Sequence, residues 1–166
     1  DPSSTTVKPG TEFDIDLKIN TEGVKPTTSD ALIQFDTNNL KFIDVIRLTE
    51  DRAFFPELIE RIEGDTIYVG AYIRLGSQPT AGDATIATLR FKALNIAQAP
   101  VNFLCTPGET RDSNISLKQN RKVTDVIDCE KSVNSMITIT DGRDVPAPTV
   151  IPTRVPTGTG GTGITP

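Results

Sequence analysis

The fold is decided by Gly-Thr-Glu-Phe-Asp-Ile-Asp-Leu-Lys-Ile-Asn-Thr-Glu-Gly at residues 10–23 and Ser-Asp-Ala-Leu-Ile-Gln-Phe-Asp-Thr-Asn-Asn-Leu-Lys-Phe at residues 29–42. In the first run Phe13, Ile15, Leu17 and Ile19 alternate with Asp14, Asp16, Lys18 and Asn20. A period of two places all four apolar side chains on one face of a strand. In the second run Ala31, Ile33 and Phe35 point one way, and Asp30, Leu32 and Gln34 the other. A turn-rich gap with Gly23 and Pro26 separates the runs, and Asp36-Thr-Asn-Asn39 makes a polar turn before a third apolar run from Leu40. Strand, loop, strand, tight turn and strand open an antiparallel sandwich.

Outward from that stretch, the spacing predicts strands over residues 12–20, 29–35, 40–48, 66–73, 84–94, 101–104, 123–127 and 133–140. In 66–73, Ile67, Val69, Ala71 and Ile73 face inward, and Tyr68, Gly70 and Tyr72 outward. In 84–94, Ala87, Leu89, Phe91 and Ala93 face inward. Residues 1–9 read as extended and polar, and 105–122 as polar and turn-like, with the sequon Asn114-Ile-Ser116 a glycosylation acceptor in a secreting host that glycosylates. Residues 49–63 break the period. Thr49-Glu-Asp-Arg52 can cap a short helix, and Phe54, Leu58, Ile59 and Ile62 fall near helical spacing, so a long loop with one or two helical turns from Pro56 is expected. The Phe54-Phe55 pair is expected to pack over one end of the sandwich. About eight short strands separated by turns are predicted, and a two-sheet β-sandwich is their natural packing.

The chain has 166 residues, which suffices for one domain and a tail. The domain is expected over residues 1–144. Residues 145–166 hold five Pro, six Thr and four Gly, a polyproline and coil composition that buries no core and reads as an extracellular linker. Net charge is −5, which opposes the basic footprint that nucleic acid or an anionic membrane surface requires. No apolar run approaches the ~18 residues needed to span a bilayer. No secretory leader is seen, and Asp1 reads as mid-loop, with the expectation that a segment once preceded it.

With no histidine there is no His-based triad or His zinc site. Paired carboxylates remain the available catalytic apparatus, but Asp14 and Asp16 share the solvated face of a strand, and a non-catalytic chain is expected. Asp112, Asp125, Asp128, Asp141 and Asp144 lie near predicted loops, and loop oxygens are what calcium takes. No Asp-x-Asp-x-Asp-Gly loop exists, so solvated carboxylates and no cofactor are the expectation. Cys105 and Cys129 fit one disulfide in an oxidising compartment, with a pair of buried free thiols as the alternative.

The pattern resembles a bacterial cohesin-type domain, a jelly-roll sandwich related to one group of carbohydrate-binding modules. The resemblance is carried by Val7-Lys-Pro-Gly10 leading into Phe13–Asn20, by Ser29-Asp-Ala-Leu-Ile-Gln-Phe-Asp36 with Asn39-Leu40, by Gly64-Asp-Thr-Ile-Tyr-Val69, and by Gly82-Asp-Ala-Thr-Ile-Ala-Thr-Leu-Arg-Phe91. It covers about residues 3–140 and implies a secreted, cell-surface module whose partner is a calcium-loaded dockerin lying on one sheet face. It assigns Asp30 to a recognition position. Leu32, Gln34, Tyr68 and Tyr72 are expected to complete the partner-binding face. Such domains usually begin with a strand just before the Pro-Ser-Ser segment. The resemblance implies that this strand is missing here, leaving backbone that another copy can pair with in a filament by strand or tail exchange. A third expectation is polysaccharide binding, for which Tyr68 and Tyr72 are the candidate platform, about 13 Å apart by strand rise.

Overall fold

A computed structural model describes residues 2–49, 53–119, 122–142 and 147–148. Among the described residues eleven strands are formed: β1 (Ser4–Val7), β2 (Glu12–Asn20), β3 (Thr28–Phe35), β4 (Leu40–Arg47), β5 (Glu57–Glu63), β6 (Thr66–Tyr72), β7 (Asp83–Ala93), β8 (Ala97–Phe103), β9 (Asn114–Gln119), β10 (Lys122–Asp125) and β11 (Ser135–Ile139). They make two sheets. The smaller runs β2-β7-β4, and the larger runs β1-β11-β8-β3-β6-β5, with β9 also laid on β3 and β10 on β9. Every pairing is antiparallel except β1 with β11, which is parallel.

The core lies between the sheets, where alternation placed it. Ile15, Leu17 and Ile19 of β2 meet Ala31, Ile33 and Phe35 of β3, Ile67, Val69 and Ala71 of β6, and Leu89, Phe91 and Ala93 of β7. Phe91 is fully buried and is the hub of an aromatic cluster, its ring centroid 5.5–6.0 Å from those of Phe35, Phe42 and Phe13. The register of β2 on β7 shifts at Leu17/Lys18. Ile86 falls in that shift, and it and Ala87 are both buried despite adjacency, as a bulge allows.

Four expectations are corrected. Residues 57–63 are a strand, not helical turns after Pro56. Pairing with β6 overrides the accidental helical spacing, burying Leu58 and turning Ile59 out. Residues 114–119, expected as turn-like, form β9, because Ile115 faces the core and Thr28–Asp30 of β3 offers a ladder. The strand expected at 101–104 begins at Ala97, with Pro100 inside it, one residue before the β3 pairing starts at Phe35 opposite Val101. Ser4–Val7, expected only as extended beside a missing first strand, forms β1 and pairs with β11 through main-chain bonds that need no apolar pattern, so the edge expected to lie open there is occupied. Phe54 and Phe55 pack edge to face on each other and lie against the core, with Phe55 buried. The proposed cap over residues 50–52 and nearly all of the 145–166 tail lie outside the described residues.

Cys105 and Cys129 are joined, with Cα atoms 5.5 Å apart. Cys105 follows β8, and Cys129 opens a short 3₁₀ turn, Cys129–Lys131, capped by the Asp128 side chain.

Candidate functional site

The outer face of the larger sheet is a grid set by register. Across β3, β6 and β5 the rows are Thr28–Tyr72–Glu57, Asp30–Gly70–Ile59, Leu32–Tyr68–Arg61 and Gln34–Thr66–Glu63. Asp30 therefore has glycine beside it, and Tyr68 stands two residues along the neighbouring strand. The phenol leans across Gly70 and its hydroxyl donates to Asp30 Oδ1 at 2.6 Å. Only glycine leaves room for this: a Cβ on residue 70 would lie 2.6 Å from the Tyr68 oxygen and 3.0 Å from Ile59 Cγ1. The Arg61 guanidinium covers the Tyr68 ring, 4.8 Å from its centroid. Desolvation first, then the hydrogen bond to Asp30 and the carboxylate's charge, push the Tyr68 phenol up to about 12, against a small opposing pull from Arg61.

Around this clamp lie apolar groups. Ile59 is 46% exposed and Tyr72 38% exposed, with Leu32 half-buried between them and the edge of β9. Gln34 shares the face by register but is buried, its amide donating to Asp65 Oδ2 at 2.8 Å. The structure thus brings Asp30, Leu32, Tyr68 and Tyr72 together and adds Ile59 and Arg61. Those two escaped the sequence reading, although Glu57, Ile59, Arg61 and Glu63 alternate with Leu58, Glu60 and Ile62 once a strand is allowed. With its hydroxyl tied and its ring covered, Tyr68 is no open stacking platform for a sugar.

Strand β3 changes partners on its far side, and this shapes one edge of the face. β8 pairs with Ile33–Phe35, and β9 with Thr28–Asp30. Leu32 sits at the switch, where its N–H donates to the Ser113 hydroxyl and its C=O accepts from the Leu104 N–H. The loop between β8 and β9 leaves the sheet after Leu104 and returns at Ser113, placing Asp112 and Asn114 next to Asp30. Asn114 stands opposite Asp30 in β9, half-buried, its side-chain oxygen accepting from the Ser116 hydroxyl at 3.2 Å.

The acidic residues considered for calcium do not converge. Asp125 Oδ1 accepts from the Ile115 and Ile127 N–H groups, and Asp128 caps the 3₁₀ turn. Among the described residues no three His, Cys, Asp or Glu side chains come together as a metal set, and Asp144 lies outside them. Also among them, no helix is long and apolar enough to cross a membrane.

With that geometry in place, comparison with known proteins decides the family. The family profile described as Cohesin domain matches residues 2–134.

The chain belongs to the cohesin domain family.

Solved cohesins share the fold at low identity. The solution structure of CaCohA2 from Clostridium acetobutylicum superposes with a TM-score of 0.65 at 14% identity, covering 86% of this chain and 90% of that one. The seventh ScaB type I cohesin from Pseudobacteroides cellulosolvens gives 0.64 at 14% identity, covering 85% and 90%. A type I cohesin–dockerin complex of Clostridium thermocellum, Coh-OlpA with Doc918, gives 0.59 at 13% identity, covering 83% and 95%. No curated protein matches the chain.

Proposed function

We propose that this cohesin domain is a non-catalytic capture module that binds a dockerin-like protein on the outer face of β8, β3, β6 and β5, outside the cell or at its surface. The carrying observation is the Asp30 clamp. A carboxylate held in place by Tyr68, with the Tyr68 ring stacked under Arg61, stands amid exposed Ile59 and Tyr72 on an otherwise flat sheet. A fixed acceptor ringed by apolar and aromatic groups is the composition of an interface hot spot. That solved relatives were captured with dockerins supports the partner class. The test is calorimetric titration with calcium-loaded dockerin modules. Asp30→Asn is expected to weaken binding at least about tenfold, as loss of a charge-assisted hydrogen bond does, and unchanged affinity would remove Asp30 from the reading.

Self-association by strand exchange is the second reading, and a different region supports it. β2 is an edge strand, and beside it lies a cavity of about 610 Å³ lined by Ile15, Leu17 and Ile19 of β2 and by Val101, Phe103 and Ile115 of the larger sheet. An added strand would pair with β2 and fill that space. Light scattering over a dilution series separates the readings: concentration-dependent growth that deletion of residues 145–166 abolishes supports exchange through the tail, and a monomer throughout excludes self-assembly.

A further inference from the structure

We propose that the cavity beside Asp30 is a socket for the cationic head of a partner side chain, a lysine ammonium or an arginine guanidinium, accepted jointly by Asp112 and Asp30. This rests on reading the outer face as the capture surface.

The cavity holds about 220 Å³, enough for such a head group, and is bounded by the switch loop on one side and the Asp30–Tyr68–Arg61 cluster on the other. Asp112 lines it and is only 6% exposed, and its Oδ1 accepts no hydrogen bond among the described residues. A buried carboxylate oxygen without a donor is costly and uncommon in a native fold, and calls for a donor from elsewhere. Tyr68 takes only one of the two oxygens of Asp30. The cavity's charged groups are three carboxylates, Asp30, Glu63 and Asp112, against two guanidiniums, Arg61 and Arg111, so its wall carries one excess negative charge. Arg61 is already laid over Tyr68. An incoming ammonium or guanidinium supplies the missing donor, balances the charge and brings several N–H groups to a wall rich in acceptors. An anionic or purely apolar group would leave Asp112 as it is.

The position also follows from the fold. The Ser113 hydroxyl locks the loop to the Leu32 backbone at 2.9 Å, so Asp112 is held beside Asp30 rather than left on a free loop. The Cys105–Cys129 bond ties the other end of the same loop.

The experiment is a titration of the intact, isotope-labelled chain with n-butylammonium chloride and, separately, methylguanidinium chloride, followed by amide chemical shifts. Sodium and calcium chloride at matched ionic strength are the controls. The expected result is saturable shifts at Asp30, Leu32, Asp112 and Ser113 with the organic cations only, weakened about tenfold or more in Asp112→Asn. The thermal midpoint of Asp112→Asn is expected to rise by about 3 °C, because the variant removes an unsatisfied buried charge. Should Asp112→Asn not fold, Asp30→Asn is read in the same titration and is expected to weaken it similarly. Non-saturating shifts, shifts unchanged in both variants, or saturation by calcium instead would overturn the socket. Thermal midpoints that fall in both Asp112→Asn and Arg111→Gln would also overturn it, by showing Asp112 already paired with Arg111. Dockerin capture unaffected by Asp112→Asn, with no cation shifts, removes the socket and leaves the capture reading standing. Saturable cation shifts without capture of any dockerin keep the socket and remove the capture reading.

Discussion

Asp30 is the residue on which the capture proposal most depends, and Tyr68 reports its state. The phenol's ionisation is suppressed in the fold and ordinary in the unfolded chain, where tyrosine titrates near 10. The folded state thus prefers the protonated phenol. The stability this gives is full below about pH 10 and is lost as pH rises through about 12. A spectrophotometric titration at alkaline pH is expected to show one phenol with a midpoint near 12, and Asp30→Asn to move that midpoint down. Gly70→Ala is expected to do the same without touching either partner, because the new Cβ would occupy the path of the Tyr68 hydroxyl, 2.6 Å from it. A Gly70→Ala phenol that still titrates near 12 would mean the ring reaches Asp30 by another route. Asp14 provides the opposite sign on the other sheet. The Arg90 guanidinium grips it at 2.8 and 2.9 Å and holds its carboxyl below the usual range, so its contribution is present above the ordinary carboxylate pKa and fades as pH falls through the lowered one. Both groups of that pair are exposed, and its effect on stability is expected to be small.

Among the elements, β7 carries the core and β5 extends the outer face proposed for capture. Phe91 touches three other phenylalanines, and Phe91→Ala is expected to cost about 3–5 kcal/mol, measured by denaturant unfolding. Ile59→Asp is expected to leave unfolding within about 0.5 kcal/mol, since the side chain is half in solvent, while abolishing dockerin capture. How far these elements can be read from the chain differs for a physical reason. β2, β3, β6 and β7 alternate because each buries one face, and so Asp30, Leu32, Tyr68 and Tyr72 could be placed outward from sequence. β5 is an edge strand whose inner residues include Glu60, held by Arg47 from β4 at 2.7 Å, so its pattern lacks a continuous apolar stripe and mimics a helix instead. β1 and β9 are short and polar and exist through pairing with distant strands, which no local window contains. The contributions of Ile59, Arg61 and Asp112 to the site were hidden for the same reason: each is delivered by an element whose register is fixed elsewhere.

The whole molecule is a lopsided sandwich, with a broad sheet whose outer face is available and a narrow one beneath it. The single disulfide closes a loop of 24 residues that contains β9, β10 and the switch loop. On the chain-entropy estimate its reduction is expected to cost about 3.5 kcal/mol. That corresponds to a thermal midpoint lower by about 10 °C, with the β2–β7–β4 sheet still the last part to exchange its amides. A reduced protein that melts at the same temperature would show that β9 and its neighbours are held by the ladder to β3 alone. The measurement that bears most directly on the capture reading is a chemical-shift footprint of a calcium-loaded dockerin on the labelled chain. The account predicts perturbation at Asp30, Leu32, Ile59, Arg61, Tyr68 and Tyr72, with β2, β7 and β4 unaffected. A footprint centred on Asp14 and Arg90 of the narrow sheet, or on the edge of β2, would contradict it.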